Sequence, residues 1–112
     1  MALARILSLE KRIETTKQQL ATLQDLRPGS LSKQYNVCGN PSCRCKASPP
    51  QKHGPYYQLS YTRKGRSTSR FVRQQDLATV RKQLRNYARL RALVELWIDL
   101  STELSELRLR QT

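Results

Sequence analysis

VCGNPSCRCKASPPQKHGPYYQLSYTRKGRSTSRFV, residues Val37 to Val72, is the stretch that decides the fold. Every Cys and His of the chain lies inside it, as Cys38, Cys43, Cys45 and His53 with the spacing C-x4-C-x-C-x7-H. Gly39, Pro41, Pro49, Pro50, Gly54 and Pro55 force turns between and beside them, so four soft or borderline donors can converge on one tetrahedral ion. The spacing fits no standard finger template, but the chemistry points to a structural zinc site on these four side chains. Three unrelated thiols with a loop histidine, and an iron–sulfur or redox centre, are the competing readings. Four protein ligands close the shell and leave no open position for water or substrate, which argues for structure over catalysis.

Downstream, Tyr56–Thr62 and Arg66–Val72 alternate as strands of a hairpin. A three-residue loop Arg63-Lys64-Gly65 puts Gly65 where a left-handed conformation is needed. That loop pairs Thr62 with Arg66, Ser60 with Thr68, Gln58 with Arg70 and Tyr57 with Phe71. One face then carries Tyr57, Leu59, Tyr61 and Phe71 inward, and a wet face carries Gln58, Ser60, Thr62, Arg66, Thr68 and Arg70. Gln34–Val37 is a candidate third short strand.

Two helical patterns flank this module. From Ala2 to Leu26, Ile6, Leu9, Ile13, Leu20 and Leu23 recur at alternating three and four residues, with Thr16 standing at one expected place, and the pattern stops at Arg27-Pro28-Gly29-Ser30. After Asp76, a good N-cap, come Leu77, Val80, Leu84, Tyr87, Leu90, Leu93, Trp97, Leu100, Leu104 and Leu107. The phase slips once, between Tyr87 and Leu90, and Val94 and Ile98 broaden the later apolar face. The helices span about 38 and 48 Å and match as an antiparallel, coiled-coil-like pair with an overhang. The overhanging seam, through Leu93, Trp97, Leu100 and Leu104, needs a partner, most simply a second copy of the chain. The expected organisation is therefore α+β, mainly α: helix one over 1–26, a basic Cys3His zinc and β-hairpin module over 27–73, and a long helix two over 74–112 packed on helix one.

Charge divides along the same lines. The chain has 112 residues and a net charge of +13, from 21 Lys and Arg against 8 Asp and Glu. No Asp or Glu lies between residues 27 and 73, where Arg27, Lys33, Arg44, Lys46, Lys52, Arg63, Lys64, Arg66, Arg70 and Arg73 stand. Such a patch repels itself and favours polyanions: nucleic acid first, an anionic membrane surface second, with a merely solubilising surface as the bland alternative. No apolar run is long enough to span a bilayer, and MALARILSLEKR lacks the pattern of a signal peptide. The cytoplasm, in association with nucleoid or nucleoprotein, is the expected location. Three cysteines cannot all pair within one chain, and a reducing compartment would keep them as thiols.

The strings VCGNPSCRC and HGPYYQLSYTRKGRSTSRFV resemble a family of short bacterial proteins of unknown function built on CG-x-P-x-C-R-C, then HGPYY and a basic hairpin. The resemblance runs from residue 27 to about 100. It is carried by Cys38, Cys43, Cys45, His53, Gly54, Pro55, Tyr56 and Tyr57, and brings no catalytic residue. Members of that family are met near mobile genetic elements, which implies an accessory role beside a transposase or another nucleoprotein enzyme.

For nucleic-acid binding, whether DNA or RNA, the candidate contacts are Arg44, Lys46, Tyr56, Gln58, Arg63, Lys64, Arg66, Thr68, Arg70 and Arg73. Arg81, Lys82, Arg85 and Arg89 on helix two add to them, although Arg81, Arg85 and Arg89 equally suit a solvated helix face. Tyr56 or Tyr35 can stack on an unpaired base. An enzyme is disfavoured: the module has no carboxylate, its one imidazole is committed to the cluster, and Gly65-Arg66-Ser67-Thr68 lacks the rest of a phosphate loop. A protein-docking scaffold or transcription regulator acting through the helices is the alternative.

Overall fold

The computed structural model of the chain describes residues Ala2–Gln111. It is a mixed α+β fold of two helices, α1 (Ala2–Ala21) and α2 (Leu77–Arg110), and three strands, β1 (Ser30–Asn36), β2 (His53–Arg63) and β3 (Arg66–Val72), with 3₁₀ turns at Arg44–Lys46 and Gln74–Asp76. The chain divides into two compact units. The helical unit comprises α1 with the chain to Leu26 and everything from Arg85 onward; the sheet unit comprises Arg27–Leu84.

In the helical unit, Ile6 and Leu9 of α1 are buried with Leu100 and Leu104 of α2, flanked by half-buried Ile13 and Leu107. The seam read from periodicity is the buried face, and Thr16 belongs to it. Its hydroxyl is satisfied within the helix by donating to the Arg12 carbonyl at 2.8 Å, so burial leaves no orphaned polar group. Arg5 Nη2 meets both oxygens of Glu103 at 2.8 and 2.7 Å, and Lys17 Nζ lies 5.5 Å from the Trp97 ring centroid. α1 ends at Ala21, short of the expected Leu26. Thr22 N and Leu23 N turn back three residues to the Gln19 and Leu20 carbonyls, and the Thr22 hydroxyl competes for the Gln19 oxygen at 2.7 Å, which tightens and closes the last turn. α2 runs past the expected Leu107 to Arg110, and Asp76 immediately precedes it.

In the sheet unit the strands are antiparallel in the order β1-β2-β3. β1 is longer than the expected Gln34–Val37 segment, because Ser30, Leu31, Ser32 and Lys33 pair with Ser60, Leu59, Gln58 and Tyr57. A run of alternating serines has little strand propensity of its own; the central strand supplies the pairing.

The hairpin register differs from the expected one by one residue. Arg63 pairs with Arg66, Thr62 with Ser67, Ser60 with Ser69, Leu59 with Arg70, Gln58 with Phe71 and Tyr57 with Val72. The cause is the turn: Lys64 and Gly65 both have positive φ, at 52° and 76°, so the loop has two residues with the twist that suits adjoining strands. A one-residue slip moves every side chain of β3 to the other face. Arg66, Thr68 and Arg70 therefore share the face of Tyr57, Leu59 and Tyr61, while Phe71 joins Gln58, Ser60 and Thr62. Leu59 is fully buried, Leu77 and Val80 from the start of α2 are buried with it in this unit, and Leu59 and Val80 line one cavity. Phe71, expected inward, is 60 % exposed.

Candidate metal centre and basic surface

Cys38 follows the end of β1, Cys43 and Cys45 bracket the first residue of the 3₁₀ turn, and His53 opens β2. Local hydrogen bonds shape the loop between them. Cys43 N donates to the Asn40 carbonyl at 3.1 Å, Lys46 N to the Cys43 carbonyl at 2.9 Å, and the Asn40 side-chain oxygen accepts from Ser42 N and Oγ at 3.0 and 2.8 Å. The proline-rich return is tied where Gln51 N donates to the Arg44 carbonyl at 3.1 Å.

His53 reaches the cluster through an irregularity in the sheet. Gln34 pairs with Tyr56 but Asn36 pairs with His53, so β2 carries one extra residue in this interval and the partner of Asn36 shifts from Gly54 to His53. Gly54, at φ 132°, makes this possible: a Cβ there would stand 2.8 Å from the Gln34 carbonyl oxygen.

The donor atoms of Cys38, Cys43, Cys45 and His53 all lie within 4.8 Å of one another. Cys38 Sγ is 3.6 Å from Cys45 Sγ, and Cys43 Sγ is 3.2 Å from His53 Nε2. A metal with bonds of about 2.3 Å to sulfur, at the centre of a tetrahedron, sets its thiolates about 3.8 Å apart. The four side chains thus fit around one ion, and they could hold one; the cysteines are free thiols. Hydrogen bonding from the Cys45 backbone, helped by the Cys38 and Cys45 thiols, holds the Cys43 thiol down at about 6. Cys45 moves the other way. Although the Cys38 N–H, 3.3 Å from its sulfur, favours the thiolate, burial and the two neighbouring thiols together push it above the ordinary range.

Arg44 and Lys46, beside the ligands, are exposed, as are Lys64 at the turn and Arg63, Arg66, Thr68, Arg70 and Arg73. Arg63, Arg66, Thr68 and Arg70 lie on one face of the hairpin and Gln58 and Tyr56 on the other, so the expected single wet face is two surfaces. Arg81 is exposed and its guanidinium carbon lies 5.4 Å from the Tyr57 centroid. Arg85 and Arg89, in the helical unit, are exposed, and Arg89 reaches Gln19 Oε1 at 3.5 Å. Sequence reasoning did not single out Arg27. It stacks 5.1 Å over Tyr61 and lines a cavity of about 220 Å³ with Arg70 and Arg73, and its Nε is buried without an acceptor. In sequence it reads as part of a helix stop and as one of the cations of the acid-free middle segment.

Leu93, Leu100 and Leu104, expected to face a partner, are buried by the chain itself, and Trp97 is half-buried. The reason is that α1 takes up this part of the seam, with Ile6 and Leu9 against Leu100 and Leu104. The apolar side chains left to solvent include Leu3 and Leu7 of α1 and Val94 and Ile98 of α2.

A family described as a domain of unknown function, DUF6788, matches residues 6–82. The chain belongs to this family. The DUF6788 match takes in most of α1, the Cys and His cluster, the whole sheet and the first turns of α2, so it reaches further toward the N-terminus than the motif-bearing segment and stops at Lys82. No curated protein and no solved structure matches the chain. Among the described residues, no helix is long and apolar enough to cross a membrane.

Proposed function

We propose that this protein is a non-catalytic nucleic-acid-binding accessory factor, in which a zinc-stapled basic sheet unit contacts phosphates and a helical hairpin docks on another protein. The observation that carries the reading is the charge of the sheet unit. Between Arg27 and Leu84 the only carboxylate is Asp76, and it already accepts from Arg73 Nε at 3.1 Å. The other cations of the unit have no carboxylate within it to pair with, and a phosphate backbone supplies anions at regular spacing. Arg63, Arg66 and Arg70 on one sheet face, with Lys64 at the turn, are the principal contacts, DNA and RNA being equally served.

Zinc is the metal that best suits three sulfurs and one imidazole, and four protein ligands leave it no catalytic position. In this reading the ion holds the loop, while Arg44 and Lys46 offset the charge of a three-thiolate site. The helices read as an antiparallel hairpin, since Arg5 meets Glu103 at one end and Asn86 donates to the Asp25 carbonyl at the other. A role beside a transposase or another nucleoprotein enzyme belongs to the same proposal.

The test is the salt dependence of binding. Each neutralised phosphate contributes about 0.9 for a duplex, or about 0.7 for a single strand, to the slope of log affinity against log salt. Lys64→Glu should weaken binding to all sequences alike and flatten that slope by about one unit, with metal content unchanged. Charge-reversed variants that bind as tightly as the parent at every salt concentration would overturn the reading. A second reading, a scaffold or transcription regulator, is favoured by the exposed Val94 and Ile98; Ile98→Glu would then lower the oligomeric state measured by light scattering.

A further inference from the structure

We infer that the outer face of the sheet is a stacking platform for the unpaired bases of a single-stranded nucleic acid, built on the Tyr56–Phe71 pair. This rests on the nucleic-acid reading above and narrows its substrate class. The two-residue turn moves Phe71 onto the face of Gln58, where its ring meets Tyr56 edge to face, with centroids 6.3 Å apart and planes at 67°. Tyr56 is 43 % and Phe71 60 % exposed. The aromatics of the inner face are committed otherwise: Tyr57 and Tyr61 are half-buried, with Arg81 and Arg27 stacked on them. Two large rings side by side in water form an apolar patch that favours a partner with a flat face of its own.

The surroundings of the pair select that partner by charge. The outer face of β2 and β3 carries only hydroxyl, amide and aromatic side chains, while Arg66 and Arg70 emerge on the opposite face. Its hydroxyls are engaged with one another, Ser60 with Ser69 at 3.1 Å and Thr62 with Ser67 at 2.9 Å. A neutral floor within a strongly basic unit suits a strand whose bases lie over the sheet and whose phosphates reach Lys64 at the turn and Arg73 beside the rings. Beside the rings, a cavity of about 260 Å³ is bordered by Pro55, Tyr56, Phe71, Arg73 and Gln74, where the amide and guanidinium offer donors to a base edge. A duplex keeps its base faces stacked inside and cannot use the platform without opening.

The experiment is fluorescence anisotropy of the full chain with a labelled oligo(dT) and with a DNA duplex, each across a salt series. Phe71→Ala and Tyr56→Ala should each weaken oligo(dT) binding by about 5- to 150-fold, the range measured for one lost base-stacking contact, and leave duplex affinity and the salt slope unchanged. Phe71→Trp should retain binding, because any aromatic face serves. Phe71→Leu keeps the apolar volume and so guards against a folding defect; it should behave as Phe71→Ala. Oligo(dT) binding unaltered in Phe71→Leu and Tyr56→Ala, while Lys64→Glu still weakens it, would overturn the platform and leave the phosphate reading standing. Equal losses on single strand and duplex would overturn it too, by assigning the rings to folding or groove docking. A parent that binds neither nucleic acid, but an apolar acidic peptide on this face, would overturn both readings.

Discussion

Cys43 Sγ lies 3.2 Å from Nε2 of His53, although the two residues sit on different elements, the mouth of a 3₁₀ turn and the first position of β2. This closeness brings the cysteine loop against the start of β2. Purified protein should contain about one zinc per chain by elemental analysis if the four side chains close one tetrahedral site. Cys43→Ser should lose the metal and disorder the loop and the β1–β2 end of the sheet, seen as loss of amide dispersion, while helical circular dichroism persists. Protein that purifies folded without zinc and with all three thiols freely titratable would contradict the expectation.

The bulge that brings His53 to Cys43 depends on Gly54. An added methyl would meet the Gln34 carbonyl oxygen at 2.8 Å and would also impose a side chain on a positive φ. Gly54→Ala should therefore cost about 1 to 3 kcal/mol and reduce metal occupancy together with stability, as read by thermal unfolding and metal analysis.

Lys64 occupies a left-handed conformation at φ 52°, which a lysine tolerates less well than asparagine. Lys64→Asn should stabilise the hairpin by up to about 1 kcal/mol in thermal unfolding, even as it removes one charge from the tip. In a three-residue loop the same position would not need a left-handed residue, so the substitution also tests the register.

Leu9 is fully buried and Ile98 is 52 % exposed. Leu9→Ala should cost about 2 to 5 kcal/mol in chemical denaturation, by lost burial and the cavity left behind. Ile98→Ala in the monomer should change stability by no more than about 0.5 kcal/mol.

The Arg5–Glu103 pair is bidentate, yet both side chains are nearly half-exposed. Glu103→Gln should cost about 0.2 to 1 kcal/mol at low salt, a difference that shrinks as ionic strength rises.

Local patterns were sufficient for part of this protein. The apolar spacing from Leu77 to Leu107 already named the inner face of α2, phase slip included, because a helix repeats its faces by geometry alone. Confinement of Cys38, Cys43, Cys45 and His53 to one turn-rich segment named the cluster, because short loops leave few ways to keep such donors apart. What tertiary structure decided lies where two conformations of similar local energy compete. Lys64-Gly65 suits a two- or a three-residue loop, and only the pairing of complete strands selects one; that choice puts Phe71 on the outer face and Arg70, still exposed, on the face of Leu59. The serine-rich β1 acquires its strand character from β2. Leu100 and Leu104 carry the apolar signature of a face seeking a partner, and whether that partner is another chain or α1 depends on how the chain returns, which no local pattern encodes.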